Sequence, residues 1–211
     1  ALETRDLALL STDQIRALET RDLAALTTVQ IVALGSEQVI ALTTAQIVAL
    51  TTAQIPAIEA SDFSLLTTAQ LAALETRDVV QLNTAQVVAL TTEQALALSS
   101  AQLAALTTQN LVALQTEDLA SLSTASLQGL TGGQAAALTT AQIQALQTEQ
   151  LIKLQSADLA AFTTQQVAAL TTAQVSNLST AQIVAMTTAQ IAALEIADFI
   201  LDFTHKPKSL K

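Results

Sequence analysis

The apolar residues of this chain recur on a fixed beat of eight. Counting from Leu2, every eighth residue through Leu194 is apolar, and it is Leu except at Ile58, Phe162 and Met186, so that 25 octads run without insertion or deletion. The sixth position of each octad is apolar as well, from Leu7, Ile15 and Leu23 to Ile191 and Phe199, and shrinks only at Ala95 and Ala135. The remaining positions are mostly polar or small. The phrase is cleanest at 42–57, where LTTAQIVA is followed by LTTAQIPA.

Three backbones can carry such a period. A β-solenoid needs corners, which favour Gly, Asn, Asp or Pro, yet the chain has 4 Gly and 2 Pro. Ala, Leu and Gln, which make up its bulk, are good helix formers. In one unbroken helix, eight residues at about 100° each would turn the apolar stripe by about 80° per octad, so no single partner could cover it. A string of very short helices fits better. Thr43 with Gln46 three residues on has the spacing of a capping box, and Leu42 and Ile47 then occupy the two positions of a hydrophobic staple. Ser or Thr also fills most third positions, which leaves the cap uncertain by one residue. Asp13, Glu37, Glu93, Glu117 and Glu149 fall in the first turn, where the helix dipole favours acidic groups.

One octad is too short to form a stable helix alone. Stacking on neighbours must supply the rest, and the small Ala residues at the fourth and eighth positions let backbones approach. That is solenoid logic. The expected fold is an all-α solenoid of about 25 very short helices over residues 1–201, followed by a C-terminal cap or tail over 202–211.

Departures from the phrase carry further expectations. Seven octads place Asp at the fifth position, giving Asp6, Asp22, Asp62, Asp78, Asp118, Asp158 and Asp198. Several lie 40 residues apart, which suggests that five octads complete one superhelical turn and bring these Asp residues to one side. Gly129, Gly132 and Gly133 predict a soft segment with a lost cap and early amide exchange, and Pro56 removes a backbone donor beyond the first helical turn.

Composition narrows the function. Net charge is −10, and Lys206, Lys208 and Lys211 sit in the last six residues, so the repeat body is more acidic still. No basic stripe exists to engage phosphates, and with 4 Phe and no Tyr or Trp there is no base-stacking platform. Nucleic acid is therefore excluded as a partner. No run approaches the ~20 apolar residues of a membrane span. Cysteine is absent, which removes disulfides and thiol chemistry and fits a secreted bacterial protein. Glu3, Arg5 and Asp6 already belong to the first octad, so the segment reads as cut from a longer array rather than opened by a signal peptide.

Catalysis has little to work with. The single histidine, His205, lies outside the array, and the many Ser and Thr residues have no companion base. Carboxylate pairs occur as Glu19 with Asp22, Glu59 with Asp62, Glu75 with Asp78 and Glu195 with Asp198. They read as variant helix starts; the other reading stacks some of them into a weak calcium site. Arg5, Arg21 and Arg77 each precede Asp in an ETRD phrase and read as solvated charge. No catalytic, cofactor-binding or metal-binding residue is assigned, no cofactor is expected, and the chain is not expected to be an enzyme.

The phrase L-[ST]-T-x-Q-[ILV]-x-A, carried from Leu2 to about Leu201, resembles the octapeptide arrays (LTTAQ type) of large, repetitive bacterial surface or secreted proteins. The resemblance implies a spacer, scaffold or adhesive stalk at the cell surface or outside it. Its partners would be proteins, the cell surface or flanking domains of the same chain. The competing expectation is a binding module that offers a superhelical surface to a protein, glycan, ice or calcium.

Overall fold

A computed structural model describes residues 3–194 of the chain. The expected tail, 202–211, and with it His205 and the Glu195–Asp198 pair, lies outside the described residues. Among the described residues the secondary structure is all helical: 22 short α-helices, from Thr4–Ala8 to Thr180–Ala185, and one 3-10 turn at Ile55–Ala57, with a further helical stretch at 188–194. Each of these α-helices is four to six residues long, one per octad.

The second octad position is the cap, which settles the register. Thr43 is extended (φ −73, ψ 159), its hydroxyl accepts the N–H of Gln46, and the Gln46 side chain accepts the N–H of Thr43 at 2.8 Å. The same reciprocal pair recurs at Thr27, Thr67, Thr91, Thr139 and Thr171, among others. The staple forms as well, with Leu42 and Ile47 both buried. Helices end without glycine. Leu50 (φ −58, ψ 142) is extended, which breaks the helix before the next octad begins. Among the described residues no backbone has positive φ, so the corner residues a β-solenoid would need are not required here.

Helices three octads apart pack together: Thr12–Ala17 on Ser36–Ala41, and Thr92–Ala97 on Thr116–Ser121. Fifth-position side chains reach main-chain atoms 28 to 31 residues back. One superhelical turn therefore takes between three and four octads. The expectation of five octads per turn is overturned, because helix length and side-chain reach set the turn, and the 40-residue recurrence of Asp is a rhythm of sequence only. Aspartates 40 residues apart lie well past one full turn from each other and do not share a side.

First- and sixth-position residues form one continuous core running up the interior, from Leu7 and Ile15 through Leu103 and Leu106 to Val167 and Leu170.

The two soft spots behave differently. At Pro56 the octad is shortened to the 3-10 turn Ile55–Ala57 with no side-chain cap, as the missing N–H dictates. At the glycine segment, by contrast, Thr131 keeps its cap: its hydroxyl accepts the N–H of Gln134 and the helix Gly132–Ala137 forms. The expected loss of the cap there is corrected, because Thr131 holds the second position and the glycines fall at the third and fourth.

Candidate functional site

Among the described residues, every buried polar or charged side chain occupies the fifth octad position, from Gln38 to Gln190. Such a set demands hydrogen-bond partners, since an unpaired buried polar group is costly. Glutamine finds them at both ends of one amide. Gln102 accepts the N–H of its cap residue Ser99 on Oε1 at 3.0 Å, and its Nε2 donates to the carbonyls of Leu71 (2.9 Å) and Leu74 (3.0 Å) in the preceding turn. Gln142 repeats this on Leu111 and Leu114, and Gln174 on Ile143 and Leu146. Those carbonyls sit at helix C-termini, where the last acceptors have no partner within the helix. One side chain thus closes the N-terminus of its own helix and the C-terminus of a helix one turn below, and the rungs add up to an amide ladder along the interior.

Its spacing from the cap marks this glutamine as a capping residue alone. The missed signal is the choice of Gln over Glu: a capping box accepts either, and Glu at the third helical position would also suit the dipole. Only the amide can donate to the turn below.

The ladder has irregular rungs. Asn110 is one methylene shorter and donates only to Leu82 O, 28 residues back, at 2.6 Å. Ser126 donates its hydroxyl to Leu98 O, and its backbone N–H donates to the cap residue Ser123, whose hydroxyl lies 2.6 Å from its own. The short reach of Ser126 draws the turns together. In the same octad Gly129 lies so close to Ser100 that a Cβ would overlap the Ser100 carbonyl. The one octad with Ser at its fifth position is the one octad with Gly at its eighth.

Aspartate is the sharper exception. Asp62 is satisfied by the Ser36 hydroxyl, which donates to it at 2.5 Å. Asp78, Asp118 and Asp158 are each buried with one carboxylate oxygen that has no hydrogen-bond partner. Burial raises the pKa of all three; Glu117 adds to the rise at Asp118, whereas a backbone hydrogen bond from Gln155 offsets it at Asp158. At Asp78 the backbone N–H of Glu75 and the charge of Arg77 offset the rise, and the Glu75 carboxylate adds to it. The lost donor moves to the rim. Gln115 donates to Val88 O at 2.8 Å, Gln155 to Gln128 O at 3.0 Å and Arg77 to Val48 O at 3.3 Å, each from an exposed position.

The carboxylate pairs expected from sequence resolve into helix starts. Glu19, Glu59 and Glu75 are N-cap residues, and Asp22, Asp62 and Asp78 lie three positions on in the same helices. Arg77 meets Glu75 at 2.9 Å and Asp78 at 3.7 Å, so it is more than solvated charge, while Arg21 pairs with Glu19 at 3.2 Å on an open surface where such pairs contribute little. Among the described residues no group of three or more His, Cys, Asp or Glu could hold a metal ion, and no helix is long and apolar enough to cross a membrane.

Short helices restarted every eight residues, stacked at three octads and tied by interior amides, define an α-solenoid of octapeptide repeats. Within that class the chain belongs to the ALTTAQ repeat family, whose profile matches residues 15–52, 71–108, 111–148, 151–188 and 168–196. Three of these matches begin 40 residues apart, the interval that separates Asp78, Asp118 and Asp158. No match is found among curated proteins.

Proposed function

We propose that this chain is a structural segment, a spacer or adhesive stalk, of a larger repetitive bacterial protein displayed at the cell surface or released from it. The observation that supports the reading is the ladder: each glutamine rung from Gln38 to Gln190 binds the turn before it, so adding such octads lengthens the body while repeating the same interface. In such a quasi-one-dimensional array, stability and length scale with the number of repeats. Its chemistry is spent on holding turns together.

The test is a series of arrays with increasing numbers of octads, measured by small-angle X-ray scattering. A maximum dimension that grows linearly with octad number supports a spacer; a dimension that plateaus sinks it. Labelling intact cells with an antibody to the array tests the surface location, and signal only after permeabilisation would overturn it.

A second reading, a binding module, draws on exposed aliphatic side chains on the outer face: Val80, Val88, Leu96 and Val112. A glycan array, an ice-shaping assay and calorimetry with calcium test it, and a specific ligand from any of them would displace the passive spacer.

A further inference from the structure

Four buried rungs of the ladder are carboxylates set where other octads present a donor, and three of them, Asp78, Asp118 and Asp158, have no hydroxyl such as Ser36 to satisfy them. Fourteen glutamines, from Gln38 to Gln190, donate to the main-chain carbonyl 28 residues back. Asn110, which has the length of aspartate, reaches that same carbonyl in its own register. For Asp78, Asp118 and Asp158 the corresponding carbonyls are those of Leu50, Leu90 and Leu130, and each aspartate has one buried oxygen without a hydrogen-bond partner, which at Asp78 lies 3.7 Å from Arg77 Nε. An ionised carboxylate cannot donate; a neutral one can. The rim donors Arg77, Gln115 and Gln155 take the carbonyls of Val48, Val88 and Gln128, which lie 30 residues before the aspartates, and so leave this inner register unfilled.

We propose that Asp78, Asp118 and Asp158 are proton-operated rungs: each takes a proton from solvent on its unpartnered oxygen and donates it to the carbonyl 28 residues back, so the array tightens in acid and loosens at neutral pH.

The surroundings favour this. On its own octad Asp78 meets Glu75 and Arg77, and the octads packed against it, 50–57 and 98–105, carry no charged residue. Asp118 has Glu117 beside it, Glu93 on the octad below, and Glu149 and Lys153 on the helix whose Gln150 binds Leu119; the octad 138–145 carries none. Around Asp158 the octads 130–137, 178–185 and 186–193 are free of charge. Arg77 eases ionisation of Asp78, so Asp118 and Asp158 carry the larger effect. The direction follows from linkage. Burial makes the folded state hold these protons more tightly than the unfolded chain, whose carboxyls titrate near about pH 3.9. The stabilisation is complete below that value and is lost as pH rises through the raised folded-state pKa.

The experiment follows the melting temperature of the chain from about pH 4.5 to about pH 7.5, where ordinary carboxyls are already mostly ionised. The wild type is expected to melt several degrees higher at the acid end. The triple variant D78N/D118N/D158N should lose most of that slope and melt above the wild type at neutral pH. A control, D6N/D13N/E37Q, removes as much negative charge from exposed sites and should keep the slope. Carboxyl ¹³C shifts of the folded wild type give a readout that needs no variant, with three aspartates titrating above the ordinary range. The proposal is overturned if the triple variant keeps the wild-type slope, or if all aspartates titrate normally. It is also overturned if sodium or calcium chloride at neutral pH raises the wild-type melting temperature as acid does but leaves the triple variant unmoved, since a cation would then fill the gap.

Discussion

At the scale of single residues, the fifth octad position decides whether two turns hold. Changing Gln142 to Glu keeps the capping acceptor but removes the donor to Leu111 and Leu114 and buries a charge in its place. We expect a loss of about 3 kcal/mol or more at neutral pH by urea denaturation, much of it recovered in acid. An unchanged midpoint would show that the amide is a passenger. The glycines separate by the space around them. Gly133 has nothing within 4 Å of a Cβ, so Gly133→Ala should stabilise by about 1 kcal/mol through helix propensity. Gly129→Ala drives a Cβ onto the Ser100 carbonyl and should lower the melting temperature by several degrees. Thermal melts of the two variants side by side check both signs.

At the scale of the element, most helices are a capping box with a core residue on either side. Thr139 accepts the N–H of Gln142, and Thr139→Ala should cost about 1 kcal/mol, a typical N-cap loss. The 3-10 turn Ile55–Ala57 is the element with the weakest local support, yet Gln54 still binds Leu23 O and Leu26 O. Hydrogen exchange should therefore open at 51–57 while the flanking rungs stay protected. Pro56→Val, which matches the neighbouring octad 42–49, should bring that segment to the protection of its neighbours. Equal protection in the unaltered chain would show that the missing N–H has no local consequence.

At the scale of the whole molecule, most of the interior repeats itself every eight residues, so octads with Gln at the fifth position are interchangeable. Deleting 99–106, one full octad, leaves each remaining fifth position opposite a carbonyl of the same kind and should preserve helical content and cooperative melting by circular dichroism. Deleting half an octad at the same place throws every later cap, staple and rung out of phase and should collapse the array above the deletion. If both deletions behave alike, register is not what binds the turns.

The sequence by itself determined the unit. Leu42, Thr43, Gln46 and Ile47 state a staple and a capping box within one octad, and such local contacts need no knowledge of the rest of the chain. The helical class, the one-helix-per-octad count and the effect of Pro56 were legible for that reason. Tertiary structure decided everything that depends on the pitch of the coil. A turn of between three and four octads follows from how helices pack and how far a Gln side chain reaches, and neither distance is written in an eight-residue period. Hence the 40-residue spacing of aspartates pointed to a false turn, and the close approach of Gly129 to Ser100, beside the bond from Ser126 to Leu98 O, could not be read from the octad. The buried carboxylates were invisible for the same reason: Asp118 stands in a register whose glutamines bind a carbonyl 28 residues away, and only the fold buries that position against the turn before it.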